Sequence, residues 1–571
     1  MEQRNLLIAI VLSVGILIGF QYFFQRLHPT PPHPGPEATS SATQSTAPAT
    51  RPGAAGANAP GAAATKAAES LEEAVAGQPR VAIETPSLHG SIALTGAKLD
   101  DLTLAKYHET VDPKSPEVVL LSPSGTANPY LAEFGWVAAE PGKVKLPGPD
   151  TVWKASGGPL TPTHPVTLTW DNGEGLIFTR TISVDDNYMF SVHDGVRNTG
   201  DTAVKLLPYG LISRTGTPQV AGYYILFEGL IGYLDGSLQE VKYSSLSPDQ
   251  PIDFASTGGW LGFTDKYWLT SLIPSQNEQV KASFRHTLEN GVAHYQTDYL
   301  GPAVTVAPNA TASTTTRFFA GAKELNLLEA YSASGIPLFE YSIDFGWFWF
   351  LTKPIFRILL ILEHFLGNFG LAILLFTLCV KLLFFPLANK SYQAMSKMKL
   401  LQPEIQKLRE RFPDDKARQQ QEMMALYKRV GANPLAGCLP IVIQIPVFFS
   451  LYKVLFVTIE MRHAPFYGWI HDLSAPDPTS FANLFGLLPF VPPAFLMIGA
   501  WPIIMGLTMF LQQKLNPQPV DPVQARMFMI LPVVFTYMLA HFPVGLVIYW
   551  AWNNTLSVGQ QWLIMHRAGA A

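Results

Sequence analysis

The residues with the most chemistry in them lie inside apolar runs. Lys381 interrupts 369–385, FGLAILLFTLCVKLLFF, a stretch with no other charge. In the last run, 544–565, Tyr549, Asn553, Ser557, Gln560 and Gln561 stand at i, i+4, i+8, i+11 and i+12, one face of a helix. Thr377 shares a face with Lys381, Thr508 shares one with Gln512, and Gln444 sits inside 436–459. These groups suit hydrogen bonding and the holding of an opposite charge, not bond breaking. Two readings compete. Polar residues often join membrane helices to one another, and a lysine near a helix end can reach back to the headgroups. Several polar faces plus a cation, with no acid in the runs to pair it, fit a hydrated cavity better.

Five such runs follow residue 345: 369–385, 436–459, 495–511, 527–542 and 544–565. A sixth, 6–24, lies near the N-terminus. At ~1.5 Å per residue, the run carrying Lys381 reaches ~25 Å, short of the ~30 Å hydrocarbon core. Runs 495–511 and 527–542 are also short, which implies local bilayer thinning or flanking water. Run 6–24 is longer than a signal-peptide core and no small-residue cleavage site follows closely, so an uncleaved anchor is expected over 1–27.

Only 14% of the 571 residues are charged, against roughly 25% in soluble domains, and the charge is unevenly placed. Residues 27–350 hold 19 Lys/Arg and 32 Asp/Glu, whereas 382–434 hold 10 and 5. The loop after 385 is therefore densely basic, while loop 460–494 carries only Arg462. Positive-inside counting puts both termini and the basic loop in the cytoplasm and the acidic region outside. Lys453, in the run 436–459, is expected to reach toward the outer face. Within the basic loop, Met395, Met398, Leu401, Ile405, Leu408 and Phe412 recur at helical spacing. Pro413-Asp414-Asp415 breaks the pattern, and Met423, Leu426, Tyr427 and Val430 resume it. A helical hairpin over 387–432 is predicted. Its methionine stripe either offers an adaptable apolar surface or seals the two helices, and sealing is favoured. Its basic exterior suits anionic lipid or ribosomal RNA.

Residues 28–78, rich in Pro, Ala, Gly, Ser and Thr, read as a flexible tether. Residues 79–341 read as an all-β domain of sandwich type, from runs such as VAIET, VTLTW and LIFTRTISV and turn signals such as Asp171-Asn172-Gly173. Its acidic balance argues against nucleic-acid binding. Over 343–365, four aromatic residues precede Lys353 and Arg357, as in a helix lying in the membrane interface. No hydrolase elbow, zinc-protease helix, phosphate loop or dinucleotide fingerprint occurs. His164 and His193 have no motif to support a catalytic role, and Cys379 and Cys438 suggest neither a disulfide framework nor a metal site.

Long collinear stretches carry a resemblance: FGLAILLFTLCVKLLFFPLANKSYQAMSKMKLLQPEIQKLRERF, QEMMALYK, NPLAGCLPIVIQIPVFFSLY, APFYGWIHDLS and FPVGLVIYWAWNN. The chain resembles the YidC family of membrane protein insertases in its long Gram-negative form. The resemblance implies a polytopic α-helical inner-membrane protein with six transmembrane helices and a cytoplasmic helical hairpin. It also implies a large periplasmic β-supersandwich like that of sugar mutarotases, without enzymatic activity. Residues 342–571 would be the insertase core. Lys381 matches the groove cation, Arg in many members; Lys keeps the charge without the bidentate fork. Thr377 lies on the same groove-lining face. Tyr549 and Trp550 match an aromatic pair, Trp standing where some relatives have Tyr. Gln444, Gln512, Asn553, Ser557 and Gln560 complete the expected groove, and spans 436–459 and 527–542 would be a greasy slide toward lipid.

The hairpin, with Met395, Met398, Lys399, Lys407, Arg409, Met423 and Met424, would receive substrate. The implied partners are nascent inner-membrane proteins, the Sec translocon (SecYEG, SecDF), the ribosome, the signal-recognition-particle receptor and anionic lipids. No catalytic residue, metal or cofactor is implied. The expected function is an insertase and chaperone that inserts, folds and helps assemble inner-membrane proteins, with or without the translocon, through a hydrophilic groove open to cytoplasm and lipid. A small-solute transporter would need inverted repeats, which the sequence does not display. A membrane-tethered periplasmic carbohydrate-binding or epimerase-like protein would place function in the β domain. The apolar stretch 480–493 is longer than the usual outer loop.

Overall fold

The structure, a computed structural model, describes residues 70–220 apart from 141 and 143, 226–430 apart from 414, 439–516 apart from 491, and 522–567. Side chains at 395, 396, 398, 399, 402, 416, 439–443, 494 and 522–525 are outside the description. The expected anchor at 1–27 and the tether as far as residue 69 lie outside the described residues. All that is described falls within the compact unit 56–571.

Where the tether is expected to run on to 78, Leu71–Ala76 instead form a short helix, α1. Ser70 and Glu73 make a reciprocal capping box: Glu73 N–H donates to Ser70 Oγ at 3.3 Å and Ser70 N–H to Glu73 Oε2 at 3.0 Å. Two of the orphan donors of the first turn are satisfied this way.

From Arg80 the chain folds into two antiparallel sheets, of ten and nine strands among the described residues. One runs in space through Arg80–Glu84, Leu88–Ala93, Lys98–His108, Tyr130–Ala138, Val204–Thr215, Val292–Leu300, Gln279–Glu289 and Ile252–Thr257, with Glu117–Leu121 and Val304–Val306 pairing alongside. The other runs through Ser237–Val241, Gly229–Leu234, Trp260–Thr264, Trp268–Ile273, Thr311–Ala322, Met189–Asn198, Leu176–Val184, Val166–Asp171 and Lys154–Ser156. The strand read from LIFTRTISV alternates buried and half-buried along its whole length, as a period of two requires when one face meets a core. Gly173, at φ 72, turns the hairpin before it, with its N–H donating to Asp171 Oδ1 at 2.9 Å. That inward row includes a charge, Arg180. It lies opposite Asp194 in the register, with Nε 2.7 Å from Oδ1. Its other nitrogens donate to the carbonyls of Ala97 at 3.0 Å and Phe134 at 2.5 Å. A buried cation is tolerable only when its donors are met, and here they tie one sheet to the other.

After the last strand come α2 (Leu325–Ala333), a 3-10 turn at Phe339–Ser342 and α3 (Trp349–Leu366). Trp347 is 79% exposed. Lys353 and Arg357, expected to flank an interfacial helix, are engaged by carboxylates. Lys353 reaches Glu340 at 2.8 Å and Glu329 at 3.3 Å, and Arg357 reaches Glu329 at 2.7 Å, binding α3 to α2.

The apolar runs become α4 (Phe369–Leu383), α7 (Leu439–Val457), α8 (Ala500–Leu515), α9 (Pro522–Leu539) and α10 (Val544–Arg567). Between α4 and α7 lie α5 (Phe385–Arg411) and α6 (Lys416–Val430). Among the described residues no single helix is long and apolar enough to cross a membrane. The run 369–385 does not continue straight: α4 stops at Phe384, and the chain turns by 63° into Phe385–Ala394. Pro386, in the first turn of α5, has no N–H to extend the α4 ladder. The bent pair together is long and apolar enough to cross. α10 is the central helix, packing on α4, α5, α7 and α8. α8 and α9 meet at Gly506, where an added Cβ would lie 2.0 Å from Thr536 Oγ1, the close approach that small residues permit between membrane helices.

The predicted hairpin is α5 and α6, sealed by Leu401, Ile405 and Leu426, with Leu408, Met423 and Tyr427 packed around them. Within the stretch 480–493, the 3-10 turn Phe481–Gly486 carries Leu484 and Phe485 at left-handed φ of 51 and 58.

Candidate functional site

The five helices α4 and α7–α10 contain no Asp or Glu, so none of them offers a carboxylate to Lys381. Lys381 stands in the last turn of α4, half-buried. Its Nζ donates to Ser557 Oγ at 2.7 Å, and that hydroxyl in turn donates to the Asn553 carbonyl at 2.8 Å. Tyr392, at the base of α5, also hydrogen-bonds to Ser557. One turn earlier on α10, Asn553 Oδ1 accepts from Gln444 Nε2 of α7 at 3.0 Å. Lys381, Gln444, Asn553 and Ser557 thus form one polar seam joining α4, α7 and α10.

A helix advances 100° per residue, and the face predicted on α10 is wide enough to divide. Asn553 and Ser557 turn toward α7 and α4. Gln561 turns toward α8, its Nε2 donating to Asn516 Oδ1 at 3.1 Å. Asn554, buried, follows the same direction and donates to Thr508 at 3.4 Å. Gln560 Nε2 is buried without a hydrogen-bond partner among the described residues, and Gln512 is half-buried on α8. Thr377 shares α4 with Lys381, yet it is buried and its hydroxyl donates to the Ile373 carbonyl of its own helix at 2.7 Å. Tyr549 is buried and stacks on Phe448 at 6.1 Å, while Trp550 packs edge-on to Phe448 at 5.1 Å and lies 5.6 Å from Phe535. Together these rings wall one end of the seam.

Asn554, Asn516 and Tyr392 were not singled out by periodicity. Asn554 and Gln561 are seven apart, a spacing that marks a second face of α10. Trp552 Nε1 donates to the Leu374 carbonyl at 3.1 Å and seats α10 against α4. Lys453 reaches out of the apolar run to a carboxylate: its Nζ lies 2.5 Å from Asp344 Oδ2. Asp344 lies outside the apolar runs, so an inventory of the runs alone could not supply this partner.

On the hairpin, Met423 packs inside and Met424 is 48% exposed. Lys407 is exposed and Arg409 half-buried. Met395, Met398 and Lys399 lie among the side chains outside the description. Beyond the hairpin, α8 and α9 present large apolar side chains outward, among them Leu507, Met527, Ile530 and Val533. In the β domain, His164 bonds Thr161 and Thr163, and His193 bonds Thr315, ordinary local contacts.

Comparison with known proteins covers nearly the whole chain. The family model for the YidC periplasmic domain matches residues 80–358, and that for the 60Kd inner membrane protein matches residues 361–570. The chain is 54% identical over 593 residues to a protein of Methylorubrum extorquens (strain PA1) named membrane protein insertase YidC, covering 100% of this chain and 96% of that one. It is 54% identical over 596 residues to a protein of the same name from Bradyrhizobium diazoefficiens, covering 100% and 97%. Among solved structures, an active YidC insertase with its first transmembrane domain resolved is 19% identical, covers 84% of this chain and 91% of its own, and has a TM-score of 0.35.

Proposed function

The chain belongs to the YidC family of membrane protein insertases, and we propose that it inserts its substrates through the polar seam around Lys381. It is an insertase of the inner membrane with a periplasmic domain, and its substrates are nascent membrane proteins. In the proposed mechanism the seam is the floor of a groove open to cytoplasm and lipid. The hydrophilic flank of an incoming segment enters from the hairpin side, and Lys381 holds its acidic or carboxylate-bearing groups transiently. Gln444, Asn553 and Gln560 replace part of its hydration. Partition of the apolar part, with ~20 residues each contributing a few tenths of a kcal/mol, drives release past α7 and α9 into the bilayer without nucleotide hydrolysis.

Six spans, with both termini and the hairpin cytoplasmic, complete this reading. So do chaperone activity, work with or without SecYEG and SecDF, and contacts of the hairpin with ribosome, signal-recognition-particle receptor and anionic lipid. The observation that carries the proposal is Lys381 held by the Ser557 hydroxyl on acid-free helices. Such a cation keeps most of its unbalanced charge for a visitor.

Photocrosslinking tests it. Probes at Gln444, Asn553 and Gln560 are expected to capture a stalled single-span nascent chain, and Lys381→Ala is expected to reduce that capture. Undiminished capture in the mutant would remove Lys381 from the mechanism. Silence at all three positions would overturn the groove itself.

A further inference from the structure

A second site, separate from the seam, opens where the β domain meets the outer end of the membrane helices. It is a cavity of about 610 Å³ bounded by the edge strand Ser237–Val241, the connector before α3, and α7. That volume lies within the ~300–1,000 Å³ of small-molecule sites. Leu238 and Glu240, on one face of the strand, and Lys242, just past its end, line it. The opposite wall is aromatic, with Trp347 79% exposed and Phe449 47% exposed.

Two carboxylates and two lysines face this space, and half of them are already committed. Asp344 pairs with Lys453 at 2.5 Å and also accepts from the N–H groups of Phe227 at 2.9 Å and Gly346 at 3.0 Å. Glu240 and Lys242 make no side-chain hydrogen bond or ion pair with the described residues. A carboxylate and an ammonium two residues apart, without partners among the described residues and above an aromatic wall, complement an amphiphile that itself carries one cation and one anion. The position selects which amphiphile. Lys453 stands one turn from the C-terminal end of α7; on the topology proposed above that end is the outer one, and the exposed Trp347 beside it suits the headgroup layer.

We propose that this cavity binds an outer-leaflet phospholipid with a primary-ammonium headgroup. The ammonium donates to Glu240, the phosphate accepts from Lys242, and the acyl chains lie along Trp347 and Phe449. A primary ammonium has N–H donors for a carboxylate, whereas a trimethylammonium has none, and an uncharged polyol headgroup leaves Glu240 facing the phosphate alone. The Glu240 side chain opens into the cavity, but protein surrounds it on most other sides. Loss of bulk water, and next the charge of Asp344, push its carboxyl up to about 7. An ammonium seated beside it would restore the ionised form.

The test is native mass spectrometry of the full-length protein with phosphatidylethanolamine, phosphatidylcholine and phosphatidylglycerol of matched acyl chains. The wild type is expected to retain phosphatidylethanolamine at least about tenfold over phosphatidylcholine, the discrimination of one charge-assisted hydrogen bond. Glu240→Gln is expected to abolish that preference, and Lys242→Ala to weaken all three lipids. Both positions open to the cavity, so the variants should keep their fold, checked by an unchanged melting temperature. Equal retention of the three lipids by the wild type, a preference for the choline or glycerol headgroup, or an unaltered preference in Glu240→Gln would each overturn the assignment.

Discussion

Lys381 and Ser557, 176 positions apart in the chain, meet at 2.7 Å and join α4 to the central helix α10. A hydroxyl accepts the lysine's hydrogen bond without cancelling its charge, which is the property a receiving cation needs.

Charge, rather than the bond to Ser557, should therefore set activity. Lys381→Ala is expected to lower insertion of a substrate with an acidic flank about tenfold, the order of one partly screened charge contact. Lys381→Arg should retain most activity, and Ser557→Ala should change it less than about threefold. Protease protection of the substrate in proteoliposomes measures all three. A defect in Ser557→Ala as deep as that of Lys381→Ala would contradict the charge argument.

Breaking the Arg180–Asp194 pair leaves a buried guanidinium uncompensated between the sheets. Asp194→Ala is expected to destabilise the β domain by ~3–5 kcal/mol, read as a lower melting temperature of the full-length protein in detergent. Replacing the pair with apolar residues of similar volume should cost much less.

Lys323 is buried and donates to Thr264 Oγ1 at 2.9 Å. Burial, partly offset by Asp265, Asp344 and Glu228, pushes its amine down to about 8 from 10.5. Between those values the unfolded chain binds the proton and the native chain releases it, so stability rises with pH through that window. The cost is fully present below pH 8 and amounts to about 3 kcal/mol. Lys323→Met should therefore raise the melting temperature at pH 7.5, and its advantage should shrink as pH approaches 10. A constant advantage would mean that packing, not ionisation, separates the two proteins.

Lys453 and Asp344 hold the connector before α3 against α7. Lys453→Ala and Asp344→Ala should each destabilise this junction. A double-mutant cycle on thermal unfolding should return a coupling of ~1–3 kcal/mol. Additive losses would show that the two side chains act independently.

In the hairpin, Ile405 lies in the seal and Met424 outside it. Ile405→Ala is expected to cost ~2–4 kcal/mol of local stability, visible as faster amide exchange across α5 and α6. Met424→Ala should leave exchange unchanged, so that any loss of substrate crosslinking in it reports contact rather than folding.

Much of this architecture is legible in the sequence because it follows from local periodicity. The alternation in 176–184 is a strand, the three- and four-residue spacing around Ile405 and Leu426 is a sealed hairpin, and the apolar runs are the helices around α10. The polar face of α10 is legible too, since 100° per residue assigns its members without knowledge of any neighbour. Their partners are not, because a face pattern states direction only relative to its own helix. Packing decided that Asn553 and Ser557 meet Gln444 and Lys381 while Asn554 and Gln561 meet Thr508 and Asn516. It also decided that Thr377 bonds its own backbone and that Lys453 finds Asp344. The inward turn of Arg180 is of the same kind: its place in the alternation puts it in the core, but only the second sheet supplies the carbonyls that make a buried charge bearable. Sequence fixes what each residue can offer, whereas the partner it meets depends on how distant segments pack, and that geometry exists only once the chain has folded.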